Sequence, residues 1–158
     1  MKNALLVGLI GLFFSCNSSA QKPEKKETFE VNKTEAQWKK ELTEQEYYVL
    51  RQAGTERPFS SPLNKEYSAG TFHCAACNTP LFKSEHKFDS GTGWPSFDRA
   101  IEGNVAYSTD NHLGYTRTEE HCATCGGHLG HVFNDGPRDT TGKRHCINGV
   151  ALEFVPEN

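Results

Sequence analysis

Cysteine is the residue through which this sequence could do most chemistry, and its six copies fall into a pattern. Cys74-Ala75-Ala76-Cys77 and Cys122-Ala123-Thr124-Cys125 are C-x-x-C knuckles of identical spacing, while Cys16 and Cys146 stand alone. The spacing lets two thiolates of one tight turn reach the same metal, and four thiolates in a tetrahedron suit zinc best. Cys74, Cys77, Cys122 and Cys125 are therefore expected to hold one structural zinc ion. With no ligand position left for water, the ion would serve folding, pinning two distant hairpins together. In an oxidising compartment the same thiols could instead form two disulfides, or one pair could be a redox motif like that of thioredoxin. A thioredoxin-like motif needs a strand-to-helix setting in a βαβ unit, whereas the surroundings here read as hairpins. His73 and His121 precede the knuckles and are expected as turn residues or as partners of the ligands.

Cys146 is a different kind of thiol. On a strand, Arg144, Cys146 and Asn148 project to one face and His145 and Ile147 to the other. Arg144 would favour the thiolate and lower the thiol pKa, and Asn148 would position a polar substrate group. The alternative is an inert core cysteine beside a surface arginine. In His128-Leu129-Gly130-His131-Val132-Phe133 either histidine could act as a general acid near neutral pH. His131 is the preferred acid because it shares a strand face with Leu129 and Phe133, where partial burial could tune it; a structural histidine is the other reading. Gly91-Thr92-Gly93-Trp94-Pro95-Ser96-Phe97 is a glycine-rich bend whose Trp94 is either a core plug or a wall for a small apolar ligand.

These residues need elements to hold them. Thr34 with Gln37 and Thr43 with Glu46 each form a capping-box pattern, so two short helices are expected, the second stopping at Gly54 in a left-handed conformation. Beyond Gly54, aromatic and β-branched segments alternate with Gly, Pro, Asn and Asp turns, which predicts a mainly β (α+β) domain. Strands are expected over 70–74, 81–83, 105–108, 115–118, 129–133, 144–148 and 151–154. The last two are expected to form a hairpin through Asn148-Gly149.

A chain of 158 residues is long enough for one domain with a core. Its net charge of -3 and 35% hydrophobic content give no reason to expect nucleic acid as a partner, since that would favour a basic face. Residues 1–15, with Lys2 before an uncharged apolar run too short to span a bilayer, read as an export signal of lipoprotein type. Ser15-Cys16 resembles a lipoprotein cleavage box, which makes Cys16 the lipidated first residue of a membrane-anchored protein facing the periplasm. Ser18-Ser19-Ala20 offers the alternative of ordinary cleavage and a soluble periplasmic protein. Residues 16–33 are polar and read as a flexible tether, leaving 34–158 as the domain.

Three segments, GTGWPSF, HLGHVFNDGP and RHCING, together with GTERPF at 54–59 and both knuckles, resemble the type B methionine sulfoxide reductases over residues 38–156. The resemblance implies two twisted antiparallel sheets with short N-terminal helices, stapled by zinc remote from the active site. It also implies reduction of methionine-R-sulfoxide, free or protein-bound, for the repair of oxidised proteins. Carried onto this sequence, Cys146 is the nucleophile, His131 and His128 supply the proton, and Trp94 faces the substrate methyl group. Arg144, Asn148 and Phe133 complete the pocket. Cys146 would be left as a sulfenic acid and regenerated by an external thiol such as a thioredoxin-like partner, the enzyme acting as a monomer.

Two departures from the family pattern matter. Many members read GCGWPSF, with a resolving cysteine where this chain has Thr92. His145 and Gly149 stand where tyrosine and serine are usual. Two other readings of the residues compete with the reductase. One is a zinc-ribbon binding module in which Cys146 is incidental, against which the acidic balance and the wide knuckle separation weigh. The other is a cysteine hydrolase pairing Cys146 with His131.

Overall fold

The computed structural model describes residues 28–157. The expected export signal, Cys16 and most of the expected tether lie outside the described residues. Helix α1 spans Glu35–Glu41 and α2 spans Glu44–Gln52, and each opens with the reciprocal capping box read from Thr34 and Thr43. Their apolar residues, Trp38, Val49 and Leu50, are buried. Trp38 is gripped by two cations, with Lys33 Nζ 4.8 Å and the Arg51 guanidinium 4.9 Å from its ring.

The stop of α2 differs from expectation. Ala53, not Gly54, adopts the left-handed conformation (φ 51°), at a cost of roughly 1 kcal/mol for a residue with a Cβ. Gly54 serves close approach instead. A Cβ there would lie 2.3 Å from the Tyr48 ring.

Among the described residues, nine strands build two antiparallel sheets. They are β1 (Gly70–Cys74), β2 (Pro80–Lys83), β3 (Lys87–Phe88), β4 (Ser96–Phe97), β5 (Val105–Asp110), β6 (Arg117–Cys122), β7 (His128–Phe133), β8 (Arg144–Ile147) and β9 (Leu152–Pro156). The smaller sheet has the order β2-β1-β9 and the larger β3-β4-β8-β7-β6-β5. Phe72 and Phe82 of the small sheet meet Phe97 of the large one, Phe82 and Phe97 stacking at 4.5 Å between centroids. Leu81, Leu129 and Ile147 are fully buried in the same core. Truncating one of these rings to alanine would cost about 3–5 kcal/mol.

Three strand expectations are corrected. The strand placed at 115–118 is β6, displaced toward the second knuckle, with Tyr115 in the preceding turn. The two-residue strands β3 and β4 are additions, too short to show a period. The hairpin expected at Asn148-Gly149 does not form, because β8 and β9 belong to different sheets and a 3-10 turn at Gly149–Ala151 joins them. Buried Glu56 explains the switch. Its carboxylate accepts the Gly149 and Val150 N–H groups and fixes the chain where it leaves the large sheet. Gly149 is required for space: a Cβ would sit 2.1 Å from Ser61 Oγ. At the N-terminal side, Phe29 packs edge-on against His121, and the Val31 N–H donates to the Thr124 carbonyl, so the chain before α1 lies on the second knuckle.

Candidate functional site

The knuckles close two hairpins in the same way. Asn78 N–H returns to the Cys74 carbonyl and Gly126 N–H to the Cys122 carbonyl, both at 2.8 Å. The returning residue is left-handed in each case, with φ 61° at Asn78 and 68° at Gly126. Both turns deliver their thiols to one point. All four sulfurs lie within 4.8 Å of one another, with Cys74–Cys125 at 3.8 Å and Cys77–Cys122 at 3.5 Å. Sulfurs bound tetrahedrally at about 2.3 Å from a metal would be separated by about 3.8 Å. The four cysteines therefore fit a metal ion, and convergence across the knuckles is not what two separate disulfides would require. His73 bonds to Asn78 through Nδ1 and His121 packs on Phe29, so neither belongs to the cluster.

The second candidate lies on the large sheet, where β8 runs between β4 and β7. The register sets Cys146 opposite Ser96 on one side and His131 on the other. A pocket of about 130 Å³ opens there, lined by Cys146, His131, Asn148, Trp94 and Phe133 among others. Strand alternation holds as expected: His145 and Ile147 point inward, His145 to the wholly buried Glu120. Burial pushes the Cys146 thiol up and Arg144 pulls it down, with burial dominant, so the depressed thiol expected from the sequence is corrected. Arg144 is not among the pocket-lining residues. Its guanidinium forms a bidentate pair with Asp135 at 2.9 Å and lies 4.4 Å from the Phe133 ring centroid. Thr92 Oγ1 is 3.9 Å from Cys146 Sγ and is hydrogen-bonded to Ser90, which is also bonded to Ser96.

His131 is braced from behind. Its Nε2 is 2.8 Å from Asp110 Oδ2, and Asp110 also accepts from the His112 amide and from Arg117. These donors, the His112 amide first, hold the Asp110 carboxyl well below its usual range. Burial lowers the His131 pKa and Asp110 opposes it. His128 stands beyond His131, with ring centroids 5.5 Å apart, and faces a neighbouring cleft. Its Nδ1 meets Glu119 at 2.7 Å, a bond that depresses the Glu119 carboxyl to about 2.

Glu56 ties the pocket walls together. Its carbonyl accepts Trp94 Nε1–H at 3.2 Å, and its N–H donates to Asn148 Oδ1 at 3.0 Å. Asn148 Nδ2 in turn donates to the Leu129 carbonyl, which leaves one amide hydrogen of Asn148 for any further partner. The sequence reading missed Glu56, Asp110, Arg117 and Glu119. The alternation of Arg117 and Glu119 along β6 is a signal, but its meaning depends on the register that sets Glu119 opposite His131.

The SelR domain family matches residues 42–156. The chain belongs to the SelR family. A peptide methionine sulfoxide reductase MsrB of Leptospira interrogans is 52% identical over 130 residues, covering 82% of this chain and 98% of the relative. One from Leifsonia xyli is 50% identical over 131 residues, covering 82% and 94%. One from Methanosarcina barkeri is 52% identical over 128 residues, covering 80% and 89%. The matched SelR segment contains both knuckles and every residue of the Cys146 pocket.

Proposed function

We propose that this SelR chain reduces methionine-R-sulfoxide in oxidised proteins, with Cys146 as nucleophile and an external thiol as reductant. The observation that carries the reading is the meeting of Cys146, His131 and Trp94 around one small pocket in a member of this family. Trp94 and Phe133 would enclose the methyl group and Asn148 would orient the sulfoxide. Cys146 Sγ, as thiolate, attacks the sulfoxide sulfur while His131, supported by His128, protonates the oxygen. Oxygen then passes to Cys146, methionine leaves, and the enzyme holds a sulfenic acid. One external thiol converts this acid to a mixed disulfide with loss of water, and a second thiol, as in a thioredoxin-like protein, releases Cys146 reduced. Thr92 beside Cys146 supports direct reduction, because a hydroxyl cannot form the internal disulfide.

Zinc is the metal proposed for the four cysteines, one ion per chain, bound by Cys74, Cys77, Cys122 and Cys125 and supplying folding energy. The chain is proposed to act as a monomer, exported and anchored through lipidated Cys16. Ordinary cleavage near Ala20 is the alternative that mass spectrometry of the mature N-terminus separates from it. The test of the activity is stereochemical. With dithiothreitol, the R epimer should turn over and the S epimer should not, dimedone should label Cys146 after one oxidising turnover, and Cys146→Ser should be inert. An active Cys146→Ser variant overturns the assignment.

A further inference from the structure

We propose that the cleft beside the Cys146 pocket receives the residue flanking the oxidised methionine in a polypeptide, and prefers an aromatic or aliphatic side chain there. The inference rests on the reductase reading and names its substrate more narrowly. The Cys146 pocket, at about 130 Å³, is smaller than most ligand sites, which span about 300–1,000 Å³. It has room for little more than one side chain. A second cleft of about 350 Å³ shares Thr55, Arg117 and His131 with it, so one wall serves both.

Beyond that wall, Gln52, Thr109 and His112 line the cleft together with two large apolar side chains that come from separate elements. Tyr48 projects from α2 and Leu113 from the turn between β5 and β6, and they are 49% and 61% exposed. One exposed leucine is ordinary. Two large apolar side chains lining a concave surface continuous with the reactive pocket make a binding surface. The two carboxylates of the floor are already bonded within it, Asp110 to Arg117 and His131 and Glu119 to His128, so neither stands without a partner to receive a cationic side chain.

The experiment uses the full chain with dithiothreitol and three R-sulfoxide substrates: N-acetyl-methionine sulfoxide methylamide, a peptide with glycine flanks, and peptides with phenylalanine on either side. The expected result is a kcat/KM about tenfold higher with phenylalanine on one side. Leu113→Ser should abolish that gain while reducing the blocked amino acid at the wild-type rate, and Tyr48→Ala should act in the same direction. Equal kcat/KM for all substrates, or an equal loss on all of them in Leu113→Ser, overturns the subsite and leaves the reductase standing. Failure of the wild-type protein to reduce any of the three overturns the reductase reading, and the subsite falls with it.

Discussion

The four-cysteine cluster and the Cys146 pocket use the same side chain under opposite conditions. At the knuckles, four thiols converge from two local turns of repeated geometry, and each cysteine is held by the backbone of its own hairpin. At the pocket, a single thiol depends on neighbours from several elements: Arg144 on its own strand, Thr92 before β4, His131 across the sheet. A metal site tolerates no missing ligand but needs little around it, whereas a reactive thiol needs one sulfur and a surround of remote supports. Substitutions should therefore separate the two regions, with stability lost at the knuckles and rate lost at the pocket.

The largest effect should come from Cys77→Ser. Structural zinc contributes about 10–16 kcal/mol in small domains, more than most domains retain as net stability. The variant should lose metal by elemental analysis and its cooperative thermal transition by circular dichroism. A folded, zinc-free Cys77→Ser protein would break the comparison. Asp110→Asn comes next and should act on the other side of it. A general acid contributes about 10²–10⁴ in rate, and removing the charge behind His131 should lower kcat by about ten- to a hundredfold, while the melting temperature falls only a few degrees.

Glu56→Gln separates fold from pocket within one residue, because the side chain clamps the strand exchange after β8 while the backbone holds Trp94 and Asn148. One amide acceptor must replace a carboxylate serving two buried N–H groups, for about 1–3 kcal/mol of lost stability. Calorimetry should show that loss, while Trp94 emission and kcat should change little, because the bonds to Trp94 and Asn148 come from the Glu56 backbone.

The smallest effects are those of pH. Glu119 is depressed from 4.5 to about 2 in the folded chain. The folded state then binds fewer protons than the unfolded one, so this stabilisation is present above about pH 4.5 and is lost as pH falls through about 2. Urea titrations across that window should report it. In kcat/KM, burial lowers His131 below 6.5 and raises Cys146 above 9.0. The profile should be flat between those limits and fall outside them, with Arg144→Ala moving the alkaline limb higher still.

The contrast also governs what could be read from the sequence. The knuckles were legible because C-x-x-C is local and their turns repeat, and the capping threonines for the same reason. Cys146 stood out as the thiol left over by the knuckles and Cys16, and its face of β8 followed from alternation. The supports of the pocket did not: Asp110 and Glu119 reach the histidines only through the pairing of β5, β6 and β7, and no short window contains that register. Asn148-Gly149 misled because a strong local turn signal was overruled by Glu56, 93 residues away. Ala53 misled because Gly54 was already committed to the ring of Tyr48.

Gly149 and Ser61 constrain one another in space, and each sets the size the other can take. Serine at 149 would collide with Ser61, whose hydroxyl caps the turn at Leu63. Room for a larger residue at 149 therefore depends on what stands at 61: Gly149→Ser alone should destabilise the turn after β8, and Ser61→Gly in the same chain should recover part of that loss at the expense of the cap.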